Sequence, residues 1–217
     1  MKLPRETPVM TLPNATLFPQ TLLPLYIFEP RYRQMLADAL HSNRMFAVAM
    51  QKPGNTRETP SPVAGLGLIR VSVRHKGDTS HLILQGIARV ELDQTVRYKP
   101  YRVQRIRPLE TPPCDGVAVD ALLAKLRELL QERIALNLPF PALPLTSHKS
   151  EKQPTFSAEE VLSYLDTLTD PEQTADLVSS AVLANGPDRQ AILETIDVEA
   201  RLRRLIQFLM AEIYKKS

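Results

Sequence analysis

Between residues 17 and 40 the chain reads LFPQTLLPLYIFEPRYRQMLADAL, and its hydrophobic period changes partway along. Leu22, Leu23, Leu25, Tyr26, Ile27 and Phe28 form an apolar run broken only by Pro24, the length and content of a strand buried on both faces. Pro24 has no N–H to give to a ladder, so this strand is expected at a sheet edge or with a bulge. Glu29-Pro30 then switches the pattern. Proline is pre-set for the first helical position and a carboxylate beside it suits the positive end of a helix. Tyr32, Met35, Leu36, Ala39 and Leu40 follow at three- and four-residue spacing and mark one apolar helix face.

Around this stretch the first half of the chain reads as strands and turns. Residues 7–12 form a short strand closed by Pro13-Asn14, and residues 45–50 (MFAVAM) suit an interior strand. Residues 51–62 collect Pro53, Gly54, Asn55, Pro60 and Pro62, the signature of an exposed loop. A strand over 63–75 carries Gly65 and Gly67, which permit a bulge, and Gly77-Asp78 turns it into a hairpin with a strand over 81–92. In that second strand Leu82, Leu84, Ile87 and Val90 change register across Gly86, as where a small barrel turns a corner. A last strand spans 101–108.

Beyond the linker TPPCDG the strand pattern stops. Val119, Leu122, Leu123, Leu126, Leu129, Leu130 and Ile134 describe a long amphipathic helix, and a proline- and serine-containing connection covers 137–154. Ser157-Ala158-Glu159-Glu160 is a capping box. Asp170-Pro171 starts a helix expected to end at Asn185-Gly186 in a left-handed stop. A short helix over 188–196 and a last one capped by Asp197, with Val198, Leu202, Leu205, Ile206, Leu209 and Ile213 inward, complete the chain. The expected fold class is therefore α+β: an N-terminal, partly open β-barrel-like subdomain with one early helix over 1–115, then a C-terminal α-helical bundle over 116–217.

Composition narrows the chemistry. With 19 prolines against 7 glycines, phosphate-cradling loops are scarce, and no Gly-x-x-x-x-Gly-Lys-Ser/Thr occurs. The single cysteine, Cys114, excludes an intramolecular disulfide and a cysteine-based zinc cluster. No signal peptide and no run of about 18 apolar residues is present, so a cytoplasmic location without a membrane partner is expected. Residues 1–115 hold 16 Lys and Arg against 9 Asp and Glu, a net +7; residues 116–217 hold 11 against 15, a net −4. A split of this size reads as solvated surface.

Phe18-Pro19, Leu23-Pro24-Leu25 and Ile27-Phe28-Glu29-Pro30-Arg31-Tyr32 resemble the opening of the Lon N-terminal domain family, the substrate-recognition domain of ATP-dependent Lon proteases. Gly86, Ile87 and Arg89 fit the family's glycine-bearing strand. The tail is more specific: Leu165-Asp166-Thr167-Leu168-Thr169-Asp170-Pro171, Ala175-Asp176-Leu177-Val178, Arg189-Gln190-Ala191-Ile192-Leu193-Glu194 and Asp197-Val198 with Arg201-Leu202 follow the family's order. The resemblance covers nearly the whole chain and implies a PUA-like β-barrel joined to a helical bundle. Without the ATPase and Ser-Lys protease modules of a full Lon, the expectation is a free-standing Lon N-terminal-like protein. It implies a non-catalytic module that binds unfolded or damaged polypeptides, or a protein partner, through apolar surface on the β-rich half. Phe18, Pro19, Leu22 and Tyr26 are the candidates for apolar contact, and Arg31 and Arg89 for polar contact. An adaptor acting in trans with a protease, chaperone or other complex is the neighbouring reading.

Nothing in the sequence assembles a reaction centre. His41, His75, His81 and His148 lack the spacing of a metal site, although His75 and His81 flank the hairpin turn and can approach each other. Cys114 lies exposed in the linker beside a carboxylate, which disfavours its thiolate and makes it a poor nucleophile; Ser147, Lys149 and Ser150 read as a solvated polar loop rather than a Ser-Lys pair. No enzyme activity, metal or cofactor is expected. The rival from another class is nucleic-acid binding, because Arg97, Lys99, Tyr101, Arg102 and Arg105 bring cations and an aromatic ring into one strand. Arginine and lysine equally guard strand edges against aggregation, the reading preferred here.

Overall fold

Strand β1 (Glu6–Leu12) lies beside β3 (Met45–Met50) in parallel, with Val9 opposite Ala47, and every other pairing is antiparallel. The computed structural model describes residues 2–54, 58–114, 116–138, 162–165 and 167–215. Within them β2 (Leu22–Ile27), β4 (Val63–Arg74), β5 (Ser80–Arg97) and β6 (Val103–Pro108) join β1 and β3 in one sheet of order β2-β5-β4-β3-β1-β6. Strand β5 is the spine. It holds β4 on one edge, and on the other β2 over 80–85 and β6 over 90–97. That last pairing links β6, at one end of the order, back to β5, one strand in from the other end, so the sheet is partly ring-like without being a barrel.

The bend expected at Gly86 is present. Gly67 pairs with Gly86 while Leu66 pairs with Ala88, so Ile87 is the extra residue of a bulge. The glycines there are required by close approach. A Cβ on Gly65 would stand 1.9 Å from the Leu17 carbonyl oxygen, and one on Gly86 1.9 Å from that of Phe18. Leu17 and Phe18 therefore cross bare backbone on β4 and β5. Their side chains, both fully buried, enter two different cores.

Helix α1 (Pro30–Leu40) begins on proline and buries Tyr32, Met35, Leu36 and Ala39 against Leu23, Ile27, Leu82 and Leu84. The Glu29 side chain makes no cap bond. A second core of Val9, Ala47, Ala49, Ala64, Leu66, Val90 and Ile106 belongs to the sheet alone. The third unites α2 (Gly116–Ala135), α3 (Pro171–Val182), α4 (Gly186–Leu193) and α5 (Val198–Tyr214) with Phe18 and Val63. Asp170 accepts from Glu172 N at 2.9 Å and Asp197 from Ala200 N at 2.7 Å, the expected caps.

Three expectations change. Asn185-Gly186 is not a left-handed stop: α3 ends at Val182, Asn185 is extended (φ −83°), and Gly186 opens α4 with Pro187 behind it. Glycine is needed there because a Cβ would lie 1.9 Å from Asn14 Oδ1. Strand β5 runs on past residue 92 to Arg97, since β6 supplies it with a partner. And β2 is buried on one face only, as Leu22 is 53% exposed while Leu23 and Ile27 are buried. The connection after residue 138, Ser147, His148, Lys149, Ser150 and the 157–160 capping box lie outside the described residues.

Candidate functional site

Antiparallel pairing puts directly opposed residues on one face of a sheet. Leu22, Pro24 and Tyr26 of β2 oppose Gln85, Ile83 and His81 of β5, and Ile83 and His81 in turn oppose Val71 and Val73 of β4. The outer face of these three strands is thus apolar and open. Leu22, Phe28, Val71, Val73 and Ile83 are between 36% and 57% exposed. The opposite face of the same strands is the one that packs on α1. An antiparallel sheet with one solvated face normally carries polar residues there, and a contiguous apolar patch on a surface marks an interaction site.

Aromatic rings cross this face in a row. Phe28 stacks with Tyr26 at 5.9 Å between centroids, Tyr26 meets His81 at 4.8 Å, and His81 meets His75 edge-on at 4.7 Å. His75 Nε2 and His81 Nδ1 are hydrogen-bonded at 2.7 Å. Among the described residues no group of three or more His, Cys, Asp or Glu side chains could hold a metal. The Arg70 guanidinium stands at the β4 bulge and donates to the Gln85 side chain, which places it beside Leu22.

The other candidate residues fall in different places. Phe18 is fully buried between sheet and helices and presents no surface; Pro19 is half-buried. Arg31 leaves the face altogether. It lies over the Tyr32 ring at 4.4 Å, donates to Glu29 at 2.9 Å and forks onto both oxygens of Glu58, tying the loop before Pro60 to the start of α1. That hydrogen bond holds the Glu58 carboxyl below its ordinary range.

Arg89 is 2% exposed and works inside the molecule. From β5 it donates to Glu172 at 2.9 Å, to Asp176 of α3 and to the Leu193 carbonyl at 3.3 Å. Arg201 of α5, also buried, reaches Asp176 at 3.2 Å and Glu172 at 3.3 Å. Burial pushes the Asp176 carboxyl up against the opposing pull of Arg89 and Arg201, and pushes Arg201 down. This set fastens helices to sheet, so Arg89 is no contact for a ligand.

The arginines of the basic strand are spoken for. Arg97 lies over Tyr101 at 4.8 Å and Arg102 over Tyr98 at 5.1 Å; Arg105 pairs with Glu6 and Arg107 with Glu91; Lys99 is exposed before Pro100. The Tyr101 ring is buried and donates to Asp38 at 2.5 Å, so it offers no stacking face for a base. Cys114 is exposed in the linker. No helix among the described residues is long and apolar enough to cross a membrane. Sequence reasoning missed Phe28, Val71, Val73 and Ile83. Their parity with Leu22 and Tyr26 is the signal, but it is visible only once the strands are in register.

Known proteins agree with this architecture. Residues 6–211 match the family described as the ATP-dependent protease La (LON) substrate-binding domain. Lon protease of Dictyoglomus thermophilum is 25% identical over 214 residues, and that of Desulfosudis oleivorans 25% over 213, covering 97% and 96% of this chain. The chain spans about a quarter of the length of these relatives, 25% and 24%. The N-terminal domain of Mycobacterium avium complex Lon protease superposes with a TM-score of 0.66 at 19% identity, covering 94% of this chain and 98% of that one. A Lon N-terminal domain protein from Xanthomonas campestris gives 0.59 at 16% identity, covering 93% and 97%. With the family's profile running over nearly its full length, the chain belongs to the Lon substrate-binding domain family.

Proposed function

We propose that this chain is a polypeptide-recognition module, without chemistry of its own, that binds unfolded or partly unfolded protein segments on the outer face of β2, β5 and β4. One observation carries the reading: Leu22, Phe28, Val71, Val73 and Ile83 form an exposed apolar patch on a sheet whose other face is fully used by the core. Membership of a substrate-binding family supports the same assignment. Apolar side chains of an unfolded client lose water against this patch, each buried aliphatic group contributing about 1 kcal/mol or more. Tyr26 and Phe28 add flat area at small entropic cost. A native client hides its apolar residues, so the face discriminates by folding state. Transfer of the bound segment to a separate protease or other machine is the natural use of such a module.

The test is a titration of a fluorescently labelled, permanently unfolded polypeptide, read by anisotropy. Leu22→Ser combined with Val71→Thr should weaken binding by about tenfold and lower the unfolding midpoint far less than a core change, because about half of each side chain is already in water. Equal affinity of the variant and the parent would refute the placement of the site, and no saturable binding by the parent would refute the function. Phe18→Ala is uninformative here, since it empties a core position.

A further inference from the structure

We infer that the far end of β4, residues 70–74, takes up an extended acidic segment of another protein as an added strand. This rests on the polypeptide-recognition reading and specifies the geometry and charge of what is recognised.

Strand β4 outruns its neighbour. Strand β3 covers it only as far as Met45 opposite Leu68, and Arg44 finishes the ladder: its carbonyl accepts from Ile69 N at 2.8 Å and its guanidinium donates to the Ile69 carbonyl at 3.2 Å. Arg70 is then the extra residue of a bulge, since Ile69 and Val71 oppose the consecutive residues Leu84 and Ile83. Past the bulge the ladder to β5 resumes and runs to the turn, where His75 N donates to the Thr79 carbonyl at 2.8 Å. Bonded and unbonded positions alternate in an antiparallel pair. Positions 71, 73 and 75 therefore turn their backbone groups toward β5, and Ser72 and Arg74 turn theirs away. Among the described residues no strand pairs with β4 on that side beyond Leu68, and no partner reaches the outward groups of Ser72 and Arg74. Arg70, Val71, Val73 and Arg74 are all exposed.

An unpaired strand edge is a template for another chain. The outward N–H and C=O of Ser72 and Arg74 have room for about four hydrogen bonds to an added strand. Directly opposed residues share a face, so side chains of the segment across from Val71 and Val73 extend the apolar outer face, and those between them fall on the side of Arg74. Charge selects the occupant. Arg70 and Arg74 bracket the edge, Lys76 follows in the turn and Arg44 stands at its start; Asp78, paired with Arg74, is the carboxylate that the contacts among the described residues place beside them. A second copy of this chain paired through the same edge would set these cations against their own images, which is destabilising. An acidic segment meets opposite charge there instead.

The experiment uses the whole chain and two labelled peptides, in which valine alternates with glutamate or with lysine. The glutamate peptide should bind about fivefold or more tighter, and Arg70→Glu combined with Arg74→Glu should invert the order. Methylating the backbone nitrogens of the glutamate peptide one at a time should give a period of two, every second methyl weakening binding about tenfold and the intervening ones hardly at all. Ser72→Pro deletes an outward N–H and takes no bond from the β4–β5 ladder, so it should also weaken that peptide about tenfold while the circular dichroism spectrum is kept. A flat methylation profile, with unfolded polypeptide still bound, overturns strand addition and leaves the recognition reading standing. Equal affinity for the two peptides overturns the acidic preference. A concentration-dependent dimer in sedimentation, abolished by Ser72→Pro, would make a second copy the occupant and overturn the proposal. Failure to bind both the peptides and unfolded polypeptide overturns both readings.

Discussion

Replacing Gly65 or Gly86 by alanine should unfold this protein more readily than any surface change of the same size. Each added Cβ would lie 1.9 Å from a backbone carbonyl oxygen, of Leu17 and Phe18 respectively. Ordinary contact begins near 3.4 Å, so the carbonyl must retreat by about 1.5 Å, and backbone has no rotamer with which to yield. The displaced segment carries two fully buried side chains, Leu17 in the core under α1 and Phe18 in the core shared with the helices. Strain at one glycine is therefore felt in both. Overpacking of this kind costs about 1–3 kcal/mol, and the double attachment puts each variant at the upper end, about 3 kcal/mol. For a chain of 217 residues that corresponds to a fall in Tm of roughly 6–12 °C. Urea unfolding followed by circular dichroism reads it as a shift in midpoint at constant slope. Gly116→Ala is the control: nothing stands within 4 Å of its Cβ position, and the residue opens α2, so the change should be neutral or stabilising by up to about 1 kcal/mol. If Gly65→Ala and Gly86→Ala both stay within about 0.5 kcal/mol of the parent, the close crossing of 17–18 over the sheet is wrong.

Two further predictions follow from the ion pairs. Asp176→Leu leaves Arg89 and Arg201 buried with only Glu172 between them, and should cost about 3 kcal/mol by denaturant unfolding; Arg89→Met should cost clearly less in that background than in the parent, and additive costs would mean the pair is not coupled. Arg31–Glu58 is half in solvent and is worth about 0.5–1 kcal/mol. The folded-state pKa of Glu58 is lowered from 4.5, so its contribution is complete above that value and disappears as pH falls through the folded pKa. Thermal unfolding of the parent and of Glu58→Gln should differ at pH 7 and converge below pH 4.5; a constant gap across that range would show the contact is absent in solution.

What the sequence disclosed and what it withheld divide along physical lines. Strand and helix identities were legible because local signals set them: Pro30 at a helix start, Asp170 and Asp197 as caps, glycine where β5 bends. Asn185-Gly186 misled because a glycine needed for left-handed backbone and one needed for close approach look alike in sequence, and only the neighbouring Asn14 side chain tells them apart. Arg89 seemed a surface contact because its partners Glu172 and Asp176 are more than 80 positions away in the chain. Arg133 and Arg201 were more readable. Each falls on the inward stripe of its helix, three or four residues from Leu129, Leu130, Val198 and Leu205, where a buried cation needs an acid. Arg133 finds Glu212 at 2.9 Å.

On the outer face of β2, β5 and β4, Leu22 and Tyr26 were named but Phe28, Val71, Val73 and Ile83 were missed, for a different reason. A run such as Leu22 to Phe28 is apolar at every position, so nothing in it distinguishes the residues that pack on α1 from those that face water. Folding makes no demand on the second set: the inner positions Leu23, Ile27, Leu82 and Leu84 already fill the core. Threonine or glutamine at 22, 71, 73 and 83 would serve the sheet as well and would protect it from aggregation. Keeping leucine, valine and isoleucine about half in water there is a cost in solubility, which the binding proposed for this face would offset. The same logic separates this face from the basic strand, whose arginines are matched by Glu6, Glu91 and tyrosine rings and so leave little charge to explain.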